Sequence, residues 1–187
     1  MDYFEKFGYL SYKRCACTAT KNNIITHIIK IHKVTEGATI EDVYAKNLKT
    51  FVDGRGDLTE IWSQSWPDKD MLAPIEHAYY NLTDQNVKKG WHWHTKTYSQ
   101  FVCLAGKMQV VMFDLRKDKK TFGHVNQFIC SSKNPMYIKI PPFIVKGWKA
   151  LEPNSLIINL LSSKGNEDNF KVPVETFLPD IWQPIFE

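Results

Sequence analysis

Short β-branched runs, broken every few residues by Gly, Pro, Asn or Asp, dominate this chain, and no stretch keeps a helical period beyond about three turns. Such punctuation admits many short strands at intervals of roughly 8 to 12 residues, so the expected fold class is all-β, a sandwich or a closed barrel. The clearest hairpin is QFVCLAGKMQVVMFDLR, two strands meeting at Ala105-Gly106-Lys107, where glycine takes the positive φ that a tight turn needs. Further strands are expected at 124–130, 136–140, 144–151 and 155–161. The segment NIITHIIKIHK alternates well enough to place Ile25, Ile29 and Ile31 on one strand face together with His27.

A chain of 187 residues with 43% hydrophobic content can bury a real core, which excludes disorder as the dominant state. Lys and Arg total 24 against 20 Asp and Glu, and the two signs are mixed along the chain. Nothing here forms the basic stripe of a nucleic-acid binder, whereas a small anionic ligand suits the modest positive balance. The start, Met1-Asp2-Tyr3-Phe4-Glu5-Lys6, lacks the basic and apolar regions of a secretion signal, and no run of about eighteen apolar residues occurs. A cytoplasmic protein with no membrane partner is expected. Cys15, Cys17, Cys103 and Cys130 then read as reduced and mostly structural.

Gly90-Trp91-His92-Trp93-His94 carries the chemistry. Side chains two apart in a strand share a face, so both imidazoles point one way and both indoles the other. Inside a small closed barrel the inward face is a cavity, where two His bind a metal, move protons or hold a ligand. The bland alternative is a pair of hydrogen-bonded barrel histidines.

From Gly90 onward the pattern resembles the first cupin motif, with His92, His94 and Gly106 at matching positions and Ser99 where an acid is usual. The second cupin motif falls on Pro141-Pro142-Phe143-Ile144-Val145-Lys146, so Lys146 stands where the motif has a ligand histidine. A hydroxyl and a cation thus replace two of four usual ligands, and no metal or other cofactor is expected.

A narrower resemblance, over roughly residues 39–182, is to the dTDP-4-dehydrorhamnose 3,5-epimerase family, metal-independent cupins acting on sugar nucleotides. Asp53-Gly54-Arg55-Gly56-Asp57-Leu58-Thr59-Glu60 is similar to the family's D-x-R-G-x-x-x-E, and Val87-Lys88-Lys89-Gly90-Trp91-His92 to its V-L-R-G-L-H. Phe113-Asp114-Leu115-Arg116, Lys119-Lys120-Thr121-Phe122-Gly123 and Ile140-Pro141-Pro142 with Gly147-Trp148 match three further pieces in order. The resemblance implies a cupin-type double-stranded β-helix and a nucleotide-diphosphate sugar as partner. Arg55 would bind the diphosphate, Glu60 would contact the substrate, and Lys89 would hold the second phosphate as a point charge rather than a fork. On the residues alone, Arg55 is equally a turn arginine paired with Asp53 or Asp57, and Glu60 and Lys89 are equally surface charges.

His92 matches the family's general base, which removes a proton from carbon beside the C4 ketone of the hexose. The carboxylate behind it would be Glu175, with Asp180 as second choice, or else Glu175 is a solvated loop charge. Departures cluster at ligand-facing positions. The family's acid, a Tyr twelve residues after the Gly of its H-G-F, falls here on Asn159, and His77 and Tyr79 stand where the family has Gln and Asn. Tyr79, Tyr80, Tyr98 and Tyr137 are all candidates for a substitute acid, and Lys146, beside a ketone, is placed to stabilise an enolate. The changes imply an altered substrate or reaction, with His77, Tyr79, His94, Lys146 and Asn159 as substrate-binding residues.

Epimerisation is the first reading. A 3,4-ketoisomerase that shuttles protons through the two histidines, a non-catalytic nucleotide-sugar binder, and a metal-dependent cupin using His77 or Glu76 are the alternatives. The resemblance also implies a homodimer with exchanged strands, residues 1–38 forming the arm and 39–187 the barrel with a C-terminal tail.

Overall fold

The computed structural model describes residues 40–164, 168–176 and 178–182, and the expected N-terminal arm, including Cys15 and Cys17, lies outside them. Among these residues twelve strands run in order: β1 (Tyr44–Asn47), β2 (Thr50–Asp53), β3 (Gly56–Thr59), β4 (His77–Thr83), β5 (Lys88–His94), β6 (Ser99–Ala105), β7 (Lys107–Asp114), β8 (Val125–Ser131), β9 (Met136–Ile140), β10 (Ile144–Ala150), β11 (Ser155–Leu161) and β12 (Asn169–Lys171). Among the described residues the helical content is two 3-10 turns, Lys69–Met71 and Pro179–Trp182. The strands form two five-stranded sheets, β1-β9-β6-β11-β4 and β12-β5-β10-β7-β8, with β2 and β3 as a separate hairpin. All strand pairs are antiparallel, and sequence-distant neighbours such as β5 with β10 give the interleaved order of a jelly roll.

The expected hairpin forms as β6 and β7, with Gly106 between them at φ +65. A Cβ there would sit 2.4 Å from the Ser155 hydroxyl, which accepts from Lys107 N at 3.1 Å. Glycine is therefore demanded twice, by conformation and by space. The expected strands at 136–140 and 155–161 match β9 and β11, and those at 124–130 and 144–151 match β8 and β10 to within one residue at an end.

Alternation sorts each strand's side chains between two apolar layers. Met108, Val110 and Met112 of β7 meet Phe101, Ile138, Ile144, Trp148 and Ile157 in the core between the sheets. Val111 and Phe113 of the same strand face the other way and join Trp91, Trp93, Val145, Leu178 and Trp182. The C-terminal segment thus covers the outer face of β5 and β10. Trp91 stacks on Trp182 with centroids 5.0 Å apart, and Trp93 stacks on Phe170 at 5.7 Å. Each indole removes about 200 Å² from water, a gross gain of roughly 5 kcal/mol before entropy is counted.

The D-x-R segment works as a clamp. Asp114, fully buried, accepts from Arg116 Nε at 2.9 Å, Arg116 Nη2 at 2.8 Å and Thr121 Oγ1 at 2.7 Å. Arg116 also reaches Asp42 Oδ2 at 2.8 Å, tying the loop after β7 to the chain ahead of β1.

Candidate active site

The two imidazoles of β5 enter the interior while their neighbouring indoles pack outside, as the period of two requires. They open on a cavity of about 380 Å³, room for a hexose ring with part of its substituents. His92 and His94 form one wall, with ring centroids 6.5 Å apart and planes perpendicular. His77, Tyr79 and Asn81 from β4 line it too, and so do Lys89, Lys164 and Lys171.

Lys146 of β10 lies opposite His92 in the β5–β10 register, and Lys171 of β12 opposite His92 on the other side. The β10 register shifts between Lys146 and Trp148, where Gly147 lets the backbones close: a Cβ on it would come within 2.9 Å of Lys89 O and 3.1 Å of the Trp91 ring. That bulge sets the aim of Lys146 beside the imidazoles.

Lys146 is 1% exposed, and burial pulls its ammonium down to about 7, with the charge of Asp168 opposing. Burial, then the Lys146 charge, pushes His92 well below its ordinary value, so the ring is neutral at physiological pH. His94 falls to about 4 for the same two reasons, against the opposing pull of Asp168. His94 Nδ1 lies 3.1 Å from Asp168 Oδ1, and its buried Nε2 has no hydrogen-bond partner among the described residues. With Nδ1–H donating to the carboxylate, Nε2 carries the free lone pair, the tautomer of a base. Asp168 is held below the usual carboxylate range although burial opposes this, because Lys96 N and Thr97 N donate to it at 2.7 and 2.8 Å.

The cavity gathers five of the expected residues, His77, Tyr79, Lys89, His92 and His94. Asn159, 1% exposed on β11, stands behind Tyr79 and donates from Nδ2 to its hydroxyl at 2.8 Å. Three expected residues sit elsewhere. Arg55 is at the tip of the β2–β3 hairpin, its side chain 90% exposed, with Nε donating to Asp53 Oδ2 at 3.1 Å. Its place is that of the turn arginine, in a hairpin whose Phe51, Val52 and Leu58 are exposed. Glu60 accepts from the Trp66 indole away from the cavity. Glu175 is exposed in a turn, and the carboxylate on an imidazole is Asp168, serving His94 rather than His92. Asp168 escaped the sequence reading because it lies in a polar loop and meets His94 across 74 residues. Lys164 and Lys171 gave no spacing signal either, and only the pairing of β12 with β5 brings Lys171 to the wall.

Residues 37–174 match the sequence family described as dTDP-4-dehydrorhamnose 3,5-epimerase. A probable low-salt glycan biosynthesis epimerase, Agl13, from Haloferax volcanii is 36% identical over 123 residues, covering 64% of this chain and 77% of that protein. The rmlC epimerase of Mycobacterium tuberculosis superposes with a TM-score of 0.69 at 17% identity, covering 75% of this chain and 73% of its own. ChmJ, a 3'-monoepimerase from Streptomyces bikiniensis solved with dTDP-quinovose, also gives 0.69, at 15% identity over 80% of this chain and 77% of its own. The two structural likenesses are of fold. The family match spans most of the barrel and both histidines, and by it this chain belongs to the dTDP-4-dehydrorhamnose 3,5-epimerases, isomerases of sugar nucleotides.

Proposed function

We propose that the protein epimerises a nucleotide-linked 4-keto hexose, with His92 removing the proton alpha to the ketone. One observation carries this reading: two neutral imidazoles line a cavity that Lys89, Lys164 and Lys171 also line, and the buried Lys146 lies directly across the β5–β10 register from His92. A neutral imidazole accepts a proton, and an ammonium beside the ketone stabilises the enolate oxygen as charge develops there. Lys89, Lys164 and Lys171 suit a diphosphate at the mouth. Incubation with dTDP-4-keto-6-deoxyglucose in deuterated water tests the reading, with exchange at C3 and C5 expected. No exchange, with dTDP still raising the melting temperature, would make the protein a binder.

The His94–Asp168 pair favours a second reading, 3,4-ketoisomerisation, because it supplies a second base on the same wall. Exchange at C3 alone, with carbonyl migration, would select it. The exposed apolar hairpin β2–β3 supports a homodimer in which Arg55 reaches a neighbouring protomer's cavity. Light scattering checks the mass, and Arg55→Ala should then raise KM without moving kcat. Cys103 and Cys130, both free and buried, fit a reducing cytoplasm.

A further inference from the structure

Inversion needs a proton delivered to the face opposite the base, and position 159, where the family resemblance places a tyrosine, holds an amide that cannot deliver one. Asn159 and Tyr79 are direct cross-strand partners in the β11–β4 register. The Asn159 amide donates to the Tyr79 hydroxyl at 2.8 Å, so the phenol is fixed in place within the cavity. The chain therefore carries Tyr and Asn at this pair of positions in the reverse of the order that the resemblance implies.

The two sheets set the geometry. His92 belongs to β5 of one sheet and Tyr79 to β4 of the other, and both line the same cavity. The remaining described tyrosines are turned elsewhere. Tyr80 alternates to the outer face and is 67% exposed, Tyr137 donates to Gln100 Oε1 in a separate cluster, Tyr44 donates to Asp68, and the Tyr98 ring lies under Lys139.

We propose that Tyr79 is the proton donor of the epimerisation, relocated from β11 to the facing position on β4 and held there by Asn159. The proposal rests on the reading of the cavity as an epimerase site. In the step, His92 takes the proton from carbon, and the C–H electron pair forms the enolate with its negative charge on the former ketone oxygen. As the ketone re-forms, the same carbon takes the Tyr79 proton from the other side, leaving a phenolate. Exchange with water returns the proton from imidazolium to phenolate. Burial raises the Tyr79 phenol above its ordinary value, although the Asn159 hydrogen bond opposes this, so the group enters the step protonated.

The test compares wild type, Tyr79→Phe and the exchanged pair Tyr79→Asn/Asn159→Tyr on dTDP-4-keto-6-deoxyglucose in deuterated water, with melting temperatures as a folding control. For Tyr79→Phe, deuterium still enters through His92 but epimer formation falls by about 100-fold or more. The exchanged pair, which conserves total side-chain volume, recovers at least about a tenth of wild-type epimer formation. Epimerisation by Tyr79→Phe within about twofold of wild type would overturn the proposal and leave the epimerase reading standing. Loss of exchange and epimer together, unrestored by the exchanged pair, would make Tyr79 structural and equally overturn it. A wild type that neither exchanges nor epimerises would remove both.

Discussion

Lys146 and His92 face each other across β10 and β5, and the ammonium on one strand adds to burial in keeping the imidazole on the other unprotonated. Replacing that cation with an isosteric apolar group removes the repulsion, so the His92 proton affinity rises. Lys146→Met should therefore shift the acid limb of the pH–rate profile to higher pH. It should also lower kcat by about 100-fold or more through loss of the enolate's counter-charge. The wild-type decline on the basic side, as Lys146 titrates near 7, should vanish in the variant. Steady-state rates across pH 5 to 9 check all three.

His94 gives a stability signature. Its folded pKa of about 4 lies below its ordinary 6.5, so on acidification the unfolded chain takes up the proton first. Stability from this group is complete above pH 6.5 and is lost as pH falls toward 4. The loss is roughly 2 kcal/mol, discounted from the full shift because the ring lines a cavity rather than a close-packed core. Urea unfolding at pH 7 and pH 5 should show it, and His94→Gln should flatten the difference.

Asp168 joins β5 to the segment leading into β12. Asp168→Asn keeps the shape but cannot accept at full strength from Lys96 N, Thr97 N, Thr97 Oγ1 and His94 together. A loss of about 1 to 3 kcal/mol in stability is expected. His94 loses the partner that fixes its tautomer, so kcat should drop about tenfold with a smaller change in KM. Urea titration and initial rates separate the two effects.

Behind the imidazoles, Trp182 stacks on Trp91, and nearby Gln109 Nε2 donates to Ile181 O at 2.9 Å. Trp182→Ala opens a hole in a close-packed cluster and should cost about 3 to 5 kcal/mol. Trp182→Phe, keeping a ring there, should cost less than half as much by thermal or urea unfolding.

The parts legible in advance were those governed by local periodicity. GWHWH announced its two faces because alternation is a property of any strand, and the turn at Gly106 was readable because only glycine tolerates it. β4 was harder: in HAYYNLT most side chains are exposed, so its apolar signal was weak, yet it supplies Tyr79. Asp168 and Lys171 were illegible for a different reason. Their partners are chosen by strand pairing, which brings β12 beside β5 with no trace in spacing along the chain. The resemblance named a carboxylate near the C-terminus, but Glu175 and Asp168 are seven residues apart, and closure of the barrel decides which one meets an imidazole.

β5 is a shared beam, bearing reactive rings on its inner side and the weight of the carboxyl-terminal wrap on its outer side. Because Trp91 and Trp93 alternate with His92 and His94 on that one strand, a change of bulk in the wrap is expected to be felt by both imidazoles together. Ligand preference is therefore expected to respond to substitutions on the back of the sheet, at Leu178 and Trp182, which do not line the cavity.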